Sequence, residues 1–146
     1  MAHLNHVWHR LDPWPDSIPG LRRLRTRYVV ASLSNSHVRL LANMAKQAGM
    51  PWDLILSAEL SNHYKPHEEA YLTAIDLLDL TPDRVMIVAT HEMDLDAAHD
   101  AGLHTAYVHR PEEWGPQHTD TIGRPDDSTY DIVVGDFVEL AQTLGT

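Results

Sequence analysis

The sequence lacks cysteine, long apolar runs and an excess of basic charge. Without cysteine there is no disulfide scaffold, thiolate metal site or cysteine nucleophile, and a reducing compartment is favoured, so we expect a cytoplasmic protein. The apolar runs are far shorter than the ~20 residues of a membrane span, and the first residues lack a signal-peptide core, so we expect a soluble protein without a membrane partner. A formal net charge of −10 argues against nucleic acid as a partner.

Histidine, by contrast, is abundant, with eleven in 146 residues. His91, His99, His104 and His109 are spread over several predicted elements with no helical H-x-x-x-H pair, so the pattern does not favour a zinc site. The residues themselves therefore indicate no metal and no other cofactor.

A hydrophobic content of 43% suits one domain with a real core. Residues 12–20, DPWPDSIPG, hold three prolines, which block helical hydrogen bonding. We therefore interpret residues 1–20 as a lead-in rather than a packed element, and residues 21–146 as the domain. The predicted strands of this domain are 28–34, 53–60, 84–90, 104–109 and 130–136, and the predicted helices are 37–49, 67–80, 94–101 and 137–145.

Strands that are apolar on both faces and alternate with helices predict an α/β fold with a parallel sheet covered by helices. The polar segment 110–129 carries three more prolines and is long for a loop in a compact domain. Loops of this length are often functional lids or mobile segments.

Three of the predicted strands are followed by unusually polar residues. These are Ser34 to Ser36 after the first strand, Tyr64 to Pro66 after the second, and Thr90 to Asp94 after the third. Ligands of parallel α/β sheets bind outside the carboxyl ends of the strands. We therefore expect Asn35, Lys65 and Asp94 to share a single small cavity.

The polar residues of the first two strand ends also have purely structural interpretations. Ser34 and Asn35 are typical helix N-cap residues, although the same groups can form an anion cradle. Lys65 could be an ordinary surface lysine, but Pro66 restricts its backbone and would present its ammonium group on a rigid turn beside that cradle. Such an arrangement suits a carboxylate or a phosphate.

The polar residues after the third predicted strand and after the last one also have both a structural and a functional interpretation. Asp94 and Asp96 can serve simply as acidic caps of the following helix, and a lone His91 would be a weak signal. Together with Thr90, however, His91 and Asp94 give this strand end more polar and titratable groups than capping requires. Asp136, in the last strand end, is interpreted as a helix N-cap rather than a catalytic carboxylate.

In the order in which they occur, these motifs resemble the haloacid dehalogenase (HAD) superfamily, specifically its type II 2-haloacid dehalogenase-like hydrolases. The resembling stretches are WHRLDPWPD (8–16), LSNS (33–36), YKP (64–66) with Tyr71 six residues beyond the lysine, and the THEMD…AAHDAGL segment (90–103). The resemblance implies a Rossmann-like three-layer core and hydrolytic dehalogenation of small 2-halocarboxylates.

The resemblance also implies roles for individual residues. Ser34 and Asn35 would bind the substrate carboxylate or stabilise developing charge, and Lys65 would neutralise the anionic site. Tyr71 would support the lysine or the substrate. His91, where family members carry Asn or His, would belong to the substrate site, and Asp94 would orient or activate the hydrolytic water.

Some expected residues are missing. Ser36 replaces a usual glycine, and Ala89 stands where dehalogenases tend to have serine and magnesium-dependent phosphatases an aspartate. Because magnesium needs several oxygen ligands, Ala89 argues against a phosphatase, the one alternative that would use this metal. The superfamily's aspartate nucleophile, in a D-x-x-G-T-like motif, and its cap are not found, so the resemblance implies a core that is inactive or nearly so alone.

The missing motif would also contribute the central strand of the sheet, between the strands at 28–34 and 84–90. Unpaired buried backbone groups cost on the order of 1 to 3 kcal/mol each, so we expect the gap to be filled. Either those two strands pair directly, or residues 3–11 insert, or a second copy of the chain inserts, as in a homo-oligomer or strand-exchanged dimer. A non-catalytic module that binds a small anion or a partner chain is the alternative function.

Overall fold

The computed structural model describes residues 7–115, 117 and 123–146. Strands and helices largely alternate along this part of the chain, and every described strand pairing is parallel, which confirms the predicted α/β class. They are α1 (Ser17–Leu24), β1 (Ala31–Ser34), α2 (Val38–Ala48), β2 (Leu54–Ser57), α3 (Ala58–Ser61), α4 (Glu68–Leu78), β3 (Met86–Ala89), α5 (Glu92–Asp100), β4 (His104–Val108), β5 (Ile132–Val134) and α6 (Phe137–Thr143). Within the described ranges, no helix is both long and apolar enough to span a bilayer.

The strands form two separate parallel sheets. β1 pairs with β2, in a register that places Ala31 beside Leu54. The second sheet has the order β3–β4–β5, with Met86 beside His104 and Ala106 beside Ile132. Every described pairing is parallel, as the sequence predicts.

The break between β1 and β3 bears on the predicted filling of the gap. Direct pairing of these strands is wrong, because β1 and β3 belong to different sheets. Insertion of residues 3–11 is not supported either: Trp8–Arg10 form a 3₁₀ turn that packs against α2, and residues 3–6 lie outside the described residues. Insertion of a second copy stays a prediction.

Helix α1 corrects the interpretation of residues 12–20 as an unpacked lead-in. It begins at Ser17, and Ser17, Gly20, Leu21 and Leu24 are buried. Pro19 is tolerated because it lies in the first helical turn, where backbone N–H groups have no intrahelical partner. A Cβ on Gly20 would lie 2.5 Å from backbone and side-chain atoms of Phe137, so glycine allows α1 to pack closely on α6.

Two N-capping hydrogen bonds show where helices α3 and α6 begin. The predicted strand 53–60 stops early, because Ser57 accepts a hydrogen bond from Glu59 N at 3.1 Å and caps the short helix α3. Asp136 accepts from Glu139 N at 2.7 Å, which confirms its predicted role as the N-cap of α6.

Two hydrophobic clusters cover opposite faces of the sheets. Alternate residues of β3 point to opposite sides. Met86 and Val88 pack on a cluster that includes Leu21, Ala106 and Leu140. Ile87 packs on a second cluster, whose members include Tyr71, Ile75, Ala98 and Leu103. The fold is therefore a three-layer arrangement of helices, sheet and helices.

Candidate active site

An ion pair between Lys65 and Asp94 forms the centre of the candidate site. Lys65 lies in the loop before α4 and Asp94 in the first turn of α5, and Lys65 Nζ donates a hydrogen bond to Asp94 Oδ2. Their side chains are only 18% and 14% exposed. The Tyr71 hydroxyl, on α4, donates to the other oxygen of the same carboxylate, Oδ1, at 2.6 Å. Two of the predicted site residues, Lys65 and Tyr71, therefore bind a third, Asp94.

Asn35 fixes the backbone that carries the lysine. Its Nδ2 donates to Lys65 O at 3.0 Å, and its Oδ1 accepts from Lys65 N at 2.7 Å. The helix-capping interpretation of Asn35 is therefore wrong, since the N-cap of α2 is His37 and Asn35 binds a loop 30 residues away. An Asn side chain suits this task because it offers both a donor and an acceptor.

Ser34 lies beside this pair at the carboxyl end of β1. Its Oγ accepts from Ser36 N at 3.1 Å, which is a local turn contact rather than a cap of α2. The first N–H of α2 is bound instead by Glu59, whose Oε2 accepts from Val38 N at 2.7 Å. The sequence pattern does not reveal this capping residue, because it lies 21 positions away.

His91 approaches the site from the end of β3 and remains 57% exposed. Its Nε2 lies 2.9 and 3.0 Å from the two carboxylate oxygens of Glu113. Sequence reasoning missed Glu113, although the unusual length of segment 110–129 marked that loop. The described residues 110–115 thus reach the site, whereas residue 116 and residues 118–122 lie outside the described residues, so the predicted lid is not tested.

The polar residues line one cavity of about 330 Å³ at the carboxyl ends of β1 and β3. Its walls comprise Leu33, Ser34, Asn35, Lys65, Pro66, His91, Met93 and Asp94. Tyr71 is fully buried and is connected to the cavity through its hydrogen bond to Asp94. The expected convergence of Asn35, Lys65 and Asp94 is therefore observed, while their chemical roles are taken up below.

Burial raises the pKa of the Tyr71 hydroxyl far above its usual 10.0, and the adjacent Asp94 carboxylate raises it further. Tyr71 is consequently a neutral donor at ordinary pH. The Lys65 ammonium group carries three donors, and Asp94 is its hydrogen-bond partner among the described residues. Donors therefore remain available for an anion bound in the cavity.

The cavity offers no activated nucleophile among its described residues. Ser34 contacts neither a histidine nor a carboxylate, and the Asp94 carboxylate is bound by Lys65 and Tyr71. Nucleophilic catalysis requires a group activated by a neighbouring base or a lowered pKa. The arrangement can hold an anion and orient a water molecule, but it contains no group ready to attack.

The same residues do not fit a magnesium ion. Mg²⁺ prefers octahedral oxygen coordination, yet Asp94 is already paired with a cation and Ala89 provides no side-chain ligand. Across the described ranges, no group of three or more His, Asp or Glu side chains is arranged to hold a metal.

Comparison with known proteins identifies relatives of this fold. Residues 2–102 match the model of the haloacid dehalogenase-like hydrolase family. The crystal structure of the L-2-haloacid dehalogenase PA0810 superposes with a TM-score of 0.90 and 42% identity, over 98% of this chain and 63% of that one. The defluorinating L-2-haloacid dehalogenase Rha0230 gives a TM-score of 0.92 and 43% identity, over 99% and 58%. These overlaps confirm the predicted Rossmann-like core.

A curated relative, the (S)-2-haloacid dehalogenase of Xanthobacter autotrophicus, is 29% identical over 112 residues. The match covers 75% of this chain and 44% of the relative, and another covers 50% of the (S)-2-haloacid dehalogenase 1 of Pseudomonas sp. (strain CBS-3). The chain therefore spans about half the length of the curated relatives it matches.

Proposed function

Because the chain belongs to the haloacid dehalogenase-like hydrolase family, we propose that its cavity is the anion-binding and water-orienting half of a 2-haloacid dehalogenase centre. The substrate class is a small 2-halocarboxylate, as the names of the similar proteins suggest. The observation that carries this proposal is the Lys65–Asp94–Tyr71 cluster, in which Lys65 and Asp94 line the cavity and Asn35 binds the backbone of Lys65.

In this proposal each residue acts through its observed contacts. Lys65 neutralises the anion with the donors that Asp94 leaves available. Asp94 orients a water molecule, because each carboxylate oxygen can accept a second hydrogen bond beyond that from Lys65 or Tyr71. Asn35 acts as a positioning residue for Lys65. Ser34 and His91, which border the cavity, contact the substrate carboxylate or the departing halide.

Because the described cavity residues include no activated nucleophile, the chain alone should turn over L-2-chloropropionate very slowly or not at all. The test is chloride release by the purified chain, measured beside the Lys65→Ala and Asp94→Asn variants. Robust chloride release that both substitutions abolish would mean that this chain does contain a nucleophile, and the proposal of an incomplete centre would fail.

Anion binding can be tested independently of turnover. Calorimetric titration with propionate and L-2-chloropropionate should give weak binding that is lost in Lys65→Met. Lys46, the other lysine of the chain, is exposed on α2, so Lys46→Met is a matched control that should bind normally. Equal binding by both variants would contradict the assignment of Lys65.

A non-catalytic module that binds an anion or a partner chain is the second candidate, favoured by the lack of an activated nucleophile among the described cavity residues. Carboxylate binding by the purified chain without any measurable chloride release would favour this second candidate. A magnesium phosphatase is the weaker alternative, since the residues present do not fit the ion. Hydrolysis of p-nitrophenyl phosphate that depends on added Mg²⁺ would revive it.

A further inference from the structure

A carboxylate from the loop after β4 contacts the wall of the cavity. Glu113 lies in this loop, and its Oε1 and Oε2 lie 2.9 and 3.0 Å from His91 Nε2. The side chain of Glu113 is only 25% exposed, compared with 57% for that of His91. His91 in turn lines the cavity together with Lys65 and Asp94. The Glu113 carboxylate is therefore a direct neighbour of the candidate anion site.

Hydrogen bonds hold the loop that carries Glu113. Arg110 lies at the start of this loop, and its guanidinium group donates to both carboxylate oxygens of Asp16 at 2.9 and 2.6 Å. Glu113 N donates to Arg110 O at 3.1 Å. Gly115 N donates to Glu112 O at 2.8 Å, so two successive turns form around Glu113. The carboxylate of Glu113 is therefore presented by a loop that is anchored at its start.

The contact with Glu113 determines which ring nitrogen of His91 is available to a ligand. An ionised carboxylate has only acceptors, so His91 Nε2 must carry the hydrogen of this contact. His91 Nδ1 has no hydrogen-bond partner among the described residues. A neutral imidazole has a single N–H group, so Nδ1 of the neutral ring has a bare lone pair, which repels an anion. Only the doubly protonated ring can donate to Glu113 and to an anion at the same time.

The cavity and its loop carry more acidic than basic charge when His91 is neutral. Lys65 and Asp94 pair with each other, so the charge of Glu113 is left without a partner of opposite sign. The other titratable or charged groups on the neighbouring elements are Glu92 of α5, Tyr71 of α4, Glu112 and the Asp16-bound Arg110 of the loop, and His109 after β4. A bound anion would add one more negative charge, and an imidazolium ion at His91 would offset it.

We propose that His91 and Glu113 form a proton-linked anion contact, in which His91 takes up a proton from solvent when a small carboxylate enters the cavity. The imidazolium ion then donates from Nε2 to Glu113 and from Nδ1 to the ligand. Glu113 is the positioning residue of this contact. The proposal rests on the proposed function of the cavity as an anion site and adds its regulation, since binding becomes tighter at acid pH. Histidine suits this role because its charge ordinarily changes between about pH 5 and 8.

Calorimetric titration of the whole chain with propionate tests the proposal. Propionate should bind about tenfold more tightly at pH 6 than at pH 8, because the imidazolium form of histidine becomes scarce at the higher pH. Titrations in two buffers of different ionisation enthalpy count the protons, and about half a proton or more should be taken up per anion at pH 7.5. Propionamide, an uncharged ligand of nearly the same shape, should take up none.

Two variants separate the roles of the paired residues. His91→Asn should remove the pH dependence and the proton uptake, because asparagine does not titrate. Glu113→Gln should move the pH dependence of binding to lower pH, because glutamine lacks the negative charge that stabilises the imidazolium ion. A purely structural role of Glu113 would leave the pH dependence unchanged. Exposed ion pairs contribute little to folding stability, so both variants should fold.

His104→Asn is the matched control. His104 Nδ1 lies 3.4 Å from Asp131 Oδ2, and its side chain is 52% exposed, so it also forms a histidine–carboxylate pair at the surface. It lies at the start of β4, whereas the cavity lies at the carboxyl ends of the strands. This variant should keep both the pH dependence and the proton uptake of the unmodified chain.

Failure of the anion site and failure of the proton-linked contact give different results. No binding of propionate at any pH, or equal binding by Lys65→Met, would contradict the anion site and the proposal with it. Binding that depends on Lys65 but takes up no proton would leave the anion site in place and overturn the proton-linked contact. Full pH dependence in His91→Asn, or an unchanged pH dependence in Glu113→Gln, would overturn it as well.

Discussion

Tyr71 and Asp94 lie 23 residues apart on different helices, and the Tyr71 hydroxyl donates to Asp94 Oδ1 at 2.6 Å and to Asp94 O at 3.2 Å. A single buried phenol therefore fixes both the side chain and the first turn of the helix that carries the acidic group. Because the tyrosine is fully buried, this geometry is set by packing as well as by hydrogen bonding.

We predict that Tyr71→Phe lowers the free energy of unfolding by about 1–2 kcal/mol, because Asp94 loses a neutral donor while the ring packing is kept. Because the pKa of Tyr71 is raised in the folded protein, this contribution to the free energy of unfolding depends on pH. It is present below pH 10.0, the ordinary value for tyrosine, and is lost as the pH rises further. Urea denaturation at pH 7 and above pH 10 measures both effects.

The exposed Tyr64 offers the matched control Tyr64→Phe. This control should leave the free energy of unfolding unchanged. A Tyr71→Phe variant that is as stable as the unmodified chain at pH 7 would show that the phenol contributes packing alone.

A second prediction concerns the charge pair. Lys65→Met should cost about 2–3 kcal/mol of stability, because it leaves a mostly buried carboxylate without its cation. In an Asp94→Asn background the same lysine substitution should cost far less, since the asparagine is neutral and still accepts from Tyr71. A double-mutant cycle by chemical denaturation measures this coupling. Additive effects of the two substitutions would contradict it.

A third prediction concerns acid stability. Arg110 donates to both carboxylate oxygens of Asp16 at 2.9 and 2.6 Å, and Phe137 N donates at 2.9 Å. Burial alone would raise the pKa of Asp16, but these donors outweigh it and hold the pKa below 3.8. The stabilisation is therefore present above pH 3.8 and disappears as the pH falls through the lowered pKa.

Asp16→Asn should accordingly destabilise the protein by about 2 kcal/mol at pH 6. The difference from the unmodified chain should shrink as the pH falls below 3.8. Thermal unfolding across pH 2.5–6, about the range in which a carboxylate with a lowered pKa titrates, provides the measurement. Asp12→Asn, at an exposed position in the same segment, should show a smaller and less pH-dependent change.

A fourth prediction concerns the contact between α1 and α6. Gly20→Ala should destabilise the fold by about 1–3 kcal/mol, because the added methyl group would collide with the backbone of Phe137. Gly123→Ala is the control, since its Cβ would meet no atom of a described residue beyond its chain neighbours within 4 Å. Chemical denaturation of both variants provides the comparison, and equal stability would mean that α1 shifts without cost.

The sequence predicted the features that depend on local patterns. Apolar strands followed by polar ends placed Asn35, Lys65 and Asp94 at one edge, and the structure brings them together. Helix α1 escaped prediction because proline content alone does not show where a helix begins. Pro19 would disrupt a helix interior but is harmless in a first turn.

Contacts across long sequence separations could not be read from the chain. Nothing local distinguishes an Asn35 that caps a helix from one that binds the backbone of Lys65, because both begin from the same residue at a strand end. Likewise, the contact between His91 and Glu113 depends on how residues 110–115 are placed relative to the end of β3. The prediction that β1 and β3 pair directly was wrong for a related reason. The cost of unpaired backbone groups indicates that a strand edge needs a partner, but it does not specify which partner.

The split between the two sheets gives the cavity residues a second task. Where a continuous sheet would join its halves through a ladder of main-chain bonds, here side chains tie the carboxyl ends of the two halves together. Asn35, Lys65 and Asp94 thus have a structural role, since their hydrogen bonds connect the two sheets, in addition to their proposed chemical roles. Substitutions at these positions should therefore weaken both the contact between the two sheets and the binding of a ligand. Stability and binding must be measured together to distinguish a lost binding group from a disrupted fold.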